Sequence, residues 1–165
     1  MEFLISNYVF YIREDEKILI FIIGGAHQGK LDYALSVTKF KTDDVIDCLN
    51  IEPLKLDEVL NSNKSVIYNF NILIKELLKK YNKEEIVEEK IEVMLKENKK
   101  SVIISTEIGY GIVPIDKFER RYRELVGRIC CRVARKAEEV HRVVCGIGTV
   151  IKGDRYDKNS FDKTL

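Results

Sequence analysis

Gly24-Gly25-Ala26-His27-Gln28-Gly29-Lys30 matches the pattern G-x-x-x-x-G-K, in which glycines let successive backbone N–H groups converge on phosphate oxygens. A helix opening at the last glycine adds partial positive charge, and Lys30 would reach the outer phosphates. Gly24, Gly25, Ala26, His27, Gln28, Gly29, Lys30 and Leu31 are therefore the candidate nucleotide-binding residues. From these residues alone, a glycine-rich strand-to-helix turn with a solvent-exposed Lys30 is the alternative. At the eighth position such loops offer magnesium a Ser or Thr hydroxyl; Leu31 stands there and cannot ligate a cation. Asp32 follows with a carboxylate, but one step along a helix turns it by about 100°. His27 would either touch phosphate or point to solvent, while His141, inside an apolar run, suits packing or an exposed edge better than catalysis.

The elements that must carry this loop are legible on both sides of it. Lys17 to Ile23 is a continuous apolar run ending at Gly24-Gly25, as in a strand buried on both faces of a parallel sheet, and Leu31, Ala34, Leu35 and Val37 predict a helix from about Gly29. Further strands are expected over Asp44 to Ile51, Ser65 to Phe70, Ser101 to Ser105 and Glu139 to Cys145. Helices are expected over Leu54 to Leu60, Ile72 to Tyr81, Lys83 to Glu97 and Asp116 to Ala137, the charged residues of Lys83 to Glu97 reading as a solvated face. This alternation implies an α/β fold with a mainly parallel sheet and helices on both faces. Phe3 to Ile12 suits a strand or small hairpin ahead of a charged break, and residues 153–165 read as a polar tail.

The chain's 165 residues suit one domain, and 45% hydrophobic content suits a packed core. With 28 basic against 27 acidic residues, a nucleic-acid surface is not indicated. No apolar run approaches the roughly 18 to 20 residues that a bilayer requires, and the opening residues do not resemble a cleavable leader, so a cytoplasmic protein with no membrane partner is expected. Cys48, Cys130, Cys131 and Cys145 have neither zinc-site nor ordinary disulfide spacing and read as reduced thiols. At the end of the strand Ser65 to Phe70, where P-loop enzymes complete magnesium coordination with an acid, the residues are Tyr68-Asn69-Phe70-Asn71. No metal ligand is assigned.

The second half carries Ile104-Ser105-Thr106-Glu107-Ile108-Gly109-Tyr110-Gly111-Ile112-Val113-Pro114, then Arg120, Tyr122-Arg123-Glu124 and Gly127-Arg128, then Ala137-Glu138-Glu139-Val140 leading to Val143-Val144-Cys145-Gly146-Ile147. In order and spacing these resemble the adenosylcobinamide kinase / adenosylcobinamide-phosphate guanylyltransferase family, over about Lys17 to Lys152. The resemblance implies a RecA-like P-loop fold, a GTP or ATP substrate, a corrinoid precursor as second ligand, and a homo-oligomer, frequently a trimer. It also implies two reactions in cobalamin assembly, phosphorylation of adenosylcobinamide and transfer of GMP through a histidine intermediate. Gly24, Gly29 and Lys30 map to the phosphate site, and Glu107, Gly109, Gly111 and Pro114 to a second signature loop, where Glu107 would face ligand or a magnesium-bound water. Lys30 and Glu107 are the candidate catalytic residues; a Glu107 that caps its own loop is the alternative.

Departures from the family pattern matter equally. The family's histidine follows the second strand, whereas this chain has no histidine between Leu31 and Lys100. Thr106 replaces the usual Asn, and Cys130-Cys131 the usual Asn-Gln. Arg120, Arg121, Arg123 and Arg128 could meet phosphate, an acidic neighbouring subunit or solvent. The expectation is a nucleotide-binding scaffold with guanylyl transfer lost and efficient phosphoryl transfer unsupported. The competing reading is a non-catalytic paralogue that binds nucleotide, corrinoid or an active family member.

Overall fold

The computed structural model describes residues 18–97, 101–109, 111–112 and 114–153. The strand or small hairpin expected over Phe3 to Ile12 and nearly all of the polar tail lie outside them. In chain order the elements are β1 (Ile20–Gly24), α1 (Lys30–Val37), β2 (Val45–Asp47), α2 (Leu56–Asn61), β3 (Val66–Tyr68), α3 (Phe70–Tyr81), α4 (Glu84–Lys96), β4 (Val102–Thr106), α5 (Lys117–Lys136), β5 (Glu139–Val144) and β6 (Ile147–Lys152). The strands form one sheet in the order β2-β3-β4-β1-β5-β6, parallel except for β6. The expected mainly parallel α/β fold with helices on both faces is present.

Alternation along the central strands divides the core between the faces. Phe21, Ile67, Ile103 and Val140 point toward α2, α3, α4 and α5, whereas Ile20, Ile22, Val102, Ile104 and Val143 point the other way, where α1 contributes Ala34. In α3, Phe70, Leu73, Ile74, Leu77 and Leu78 recur at helical spacing and are fully buried, each stabilising the fold by about 1.5 to 3 kcal/mol. Phe70→Ala would cost about 3 to 5 kcal/mol. The helix α1 stops at Val37 although no Gly or Pro follows before Pro53. Thr38 ends it, donating its hydroxyl to Ala34 O at 2.8 Å and accepting from Phe40 N at 3.4 Å.

Three expectations need correction. The strand at Glu139 is not the last: Cys145 (φ 50°) and Gly146 (φ 79°) make a two-residue turn with both φ positive, and β6 returns antiparallel to β5. The strand β2 covers only Val45–Asp47 before a 3-10 turn. The charged face of α4 is not simply solvated, since Glu84, Glu88 and Glu92 pair with Arg121, Arg128, Arg132 and Lys136 on α5.

Candidate functional site

The phosphate-type loop lies at the C-terminal end of β1, in the middle of the sheet, where open α/β folds place ligands. Gly24 is demanded by packing, since a β-carbon there would lie 2.3 Å from Val143 O on β5. Gly29 is demanded by conformation, at φ 74° and directly before α1. Lys30 opens α1, is only 4% exposed, and donates from Nζ to Gly25 O at 2.6 Å, so its ammonium lies inside the loop rather than in solvent. Burial pushes the Lys30 ammonium below its ordinary range, and Glu107 partly offsets this.

The turn joining β5 and β6 holds the loop from outside. Gln28 Oε1 accepts from Cys145 N at 2.6 Å, and Gln28 O accepts from Gly146 N at 2.9 Å. The side chain of Gln28 is thereby committed to the scaffold. One turn later, Tyr33 on α1 lies over Gly148 of β6 and its hydroxyl is 2.9 Å from His141 Nδ1. His141 is fully buried, and its Nε2 lies 3.0 Å from Glu139 Oε2. Both ring nitrogens of His141 are thus within hydrogen-bond distance of a side-chain oxygen. Of the two sequence readings of His141, packing holds and edge exposure does not, because β6 covers that edge.

Glu107 follows β4, the strand that pairs with β1, and its N–H donates to Gly24 O at 2.9 Å. Its carboxylate receives Arg142 in a two-pronged contact, Nε to Oε1 at 3.1 Å and Nη2 to Oε2 at 3.2 Å. The strand β3, which ends at Tyr68 and runs into Asn69 with no acid, is separated from β1 by β4. Asn71, at the start of α3, instead accepts from Thr106 N at 3.2 Å and from the Tyr122 hydroxyl at 3.0 Å through its backbone oxygen, tying β4 to α5. The acid beside the loop is thus Glu107, and sequence reasoning missed its partner Arg142. The available signal was a charged residue interrupting the otherwise apolar end of β5, Val140-His141-Arg142-Val143-Val144.

Other candidates are not drawn in. Leu31 packs against the smaller core cluster with Tyr33 and Phe40. Asp32 is exposed; burial, then the charges of Asp47 and Asp32, raise the Tyr68 hydroxyl above its ordinary range. His27 occupies an exposed, left-handed position (φ 56°) at the loop's tip. Arg120 and Arg123 donate to carbonyls of the loop after β4, at Pro114, Ile115 and Ile112, and Arg121 and Arg128 face α4. Among the described residues, no group of three or more His, Cys, Asp or Glu is placed to hold a metal ion. All four cysteines are unbridged. An open cavity of about 440 Å³, lined by Ile46, Ile51, Val59 and Lys64 among others, lies beside β2 and not at the loop. Among the described residues, no helix is long and apolar enough to cross a membrane.

Comparison with known proteins gives a consistent picture for the second half. The model of a family described as cobinamide kinase / cobinamide phosphate guanyltransferase matches residues 45–151, from the start of β2 into β6, leaving the phosphate-type loop outside the match. The bifunctional adenosylcobalamin biosynthesis protein CobU of Salmonella typhimurium is 45% identical over 53 residues, 32% of this chain and 29% of that protein. Its namesake in Escherichia coli is 43% identical over 53 residues, with the same coverage of 32% and 29%. The matched segment therefore spans less than a third of either relative.

Proposed function

The chain belongs to the cobinamide kinase / cobinamide phosphate guanyltransferase family, and from that premise we propose that it binds GTP or ATP at the Gly24–Lys30 turn without transferring a guanylyl group. The observation that carries this reading is the buried Lys30 at the head of α1, its ammonium 2.6 Å from Gly25 O inside a loop of otherwise small or backbone-contributing residues. A phosphate entering that loop would meet backbone N–H groups, the helix N-terminus and the Lys30 ammonium together. Magnesium is a poor fit to the donors present. Leu31 packs against the core in place of a hydroxyl, and both Glu107 oxygens are engaged by Arg142. Guanylyl transfer needs an imidazole in line with the α-phosphorus. His141 is locked between Tyr33 and Glu139, and His27 belongs to the loop that would wrap the outer phosphates.

The same missing groups favour a second reading, a non-catalytic paralogue that keeps nucleotide or corrinoid binding or pairs with an active family member. A corrinoid second ligand, a trimeric assembly and a cytoplasmic location belong to the proposal through the family alone. Calorimetric titration of GTP and ATP, with magnesium and with EDTA, tests the site. Lys30→Ala is expected to weaken binding at least tenfold, about 1.4 kcal/mol, whereas EDTA changes wild-type binding less than tenfold. A larger EDTA effect would revive a magnesium-dependent kinase. Incubation with α-labelled GTP is expected to leave no acid-labile, alkali-stable label on the protein; such a label on His27 or His141 would refute the loss of guanylyl transfer.

A further inference from the structure

Glu107 is one carboxylate serving two cations. It acts electrostatically on Lys30 inside the loop and receives the Arg142 guanidinium at 3.1 and 3.2 Å. Its side chain is 15% exposed, while that of Arg142 is 49% exposed, so the fork closes at the surface rather than in the core. Arg142 is the β5 residue paired in register with Ile23, and the next pair is Val143 with Gly24, where the loop begins. Lys30, Glu107 and Arg142 together carry a formal charge of +1, to which the N-terminus of α1 adds about half a charge. A nucleoside triphosphate brings more negative charge than Lys30 and the helix can balance, and the position that usually recruits magnesium is Leu31, partly buried against the smaller core cluster.

Resting on the reading of the loop as a nucleotide site, we infer that Arg142 is a second phosphate ligand, with the terminal phosphate of a nucleoside triphosphate displacing Glu107 from its guanidinium. The planar fork that fits a carboxylate fits a phosphate equally well, and the phosphate carries the greater charge. In the free protein Glu107 holds Arg142 at the site and shares its charge with Lys30. In the complex Arg142 turns to the terminal phosphate and supplies charge that other loops obtain from a metal ion. Arg142 thereby sets specificity for the number of phosphates: a diphosphate filling the loop satisfies Lys30, and only a third phosphate reaches Arg142.

Calorimetry on the full chain in EDTA at fixed ionic strength tests this, with pyrophosphate, tripolyphosphate and GTP as the probes. Arg142→Met is expected to weaken tripolyphosphate at least tenfold and pyrophosphate less than threefold, from the ordinary strength of a hydrogen bond between charged groups. Arg142→Lys keeps the charge but loses the fork, and falls between. Glu107→Gln removes the competing carboxylate and is expected to tighten tripolyphosphate binding, a sign that a merely structural Glu107 would not give. Equal weakening of both polyphosphates by Arg142→Met, no weakening, or looser tripolyphosphate binding by Glu107→Gln would each overturn the inference. If GTP still binds through Lys30 in that case, the loop reading stands alone; if Lys30→Ala binds GTP as wild type does, both fall.

Discussion

Gly24→Ala separates what the loop's first glycine does for the fold from what it does for a ligand. In a strand, replacing Gly by Ala ordinarily gains about 0.5 to 1 kcal/mol, because glycine loses more conformational freedom on folding. Here the new β-carbon would lie 2.3 Å from Val143 O and 3.2 Å from Val143 C, and β-carbons essentially never approach another heavy atom within 3.0 Å. The obstacle is backbone in a strand flanked by β1 and β6, so no side chain can swing aside. Opening the gap by about 0.7 Å weakens the ladder bonds between β1 and β5 at roughly 0.5 to 1.5 kcal/mol each, and overpacking adds about 1 to 3 kcal/mol. A net loss of about 2 to 3 kcal/mol follows, or a Tm lower by about 5 to 10 °C for a chain of this size. Gly25→Ala is the control: its β-carbon would meet only Gln28 Cγ, at 3.4 Å, and the Tm should stay within about 2 °C. Thermal unfolding by circular dichroism reads both. A Gly24→Ala protein that melts with wild type would refute the assignment of Gly24 to strand packing and return it to ligand binding.

Two further outcomes follow from side-chain environments. Asp57 on α2 receives Lys80, Lys90 and the Tyr81 hydroxyl, which hold its carboxyl well below the usual range. A depressed carboxyl contributes stability above its unfolded pKa and loses it as pH falls through the folded value, so wild type should lose stability increasingly below about pH 4. Asp57→Asn should cost about 1 kcal/mol at neutral pH, given the partial exposure, and the difference in urea midpoint should vanish in acid. Thiol titration in the native state should show Cys131 and Cys145 reacting quickly and Cys48 and Cys130 only on unfolding, since the latter two are buried and burial pushes the Cys130 thiol up to about 11. Fast reaction of all four thiols would contradict this packing.

The central strands and the loop were legible because their signals are local. Ile20 to Ile23 form an unbroken apolar run and Gly24 to Lys30 a contiguous motif. What escaped depends on partners distant in sequence. The β5–β6 turn is Cys145-Gly146, not the Asn-Gly pair that announces a two-residue turn, so the returning strand was not anticipated. Charges on α4 looked solvated because the arginines that meet them come about 40 residues later. An acid was sought at β3 because sheet order is not written in the chain, and it is β4 that adjoins β1. His141 showed an apolar setting but not Tyr33, which reaches it from 108 residues away. Arg142 was visible as an oddity in its strand, yet its role as the partner of Glu107 was not.

The clamp between Gln28 and the Cys145–Gly146 turn also sets an order of events during synthesis. Its two sides are 117 residues apart, and at roughly 5 to 20 residues per second the ribosome needs about 6 to 23 s to supply the second. Both neighbours of β1, the strands β4 and β5, likewise come after α3 and α4, which can pair as a local helical hairpin as soon as they emerge. The nascent chain therefore carries the apolar strand Ile20 to Ile23 without either of its sheet neighbours until β4 has been made. It also means that the loop gains its outer support among the last parts of the molecule, so a ribosome-bound chain halted before β5 would carry the loop without its Cys145–Gly146 clamp.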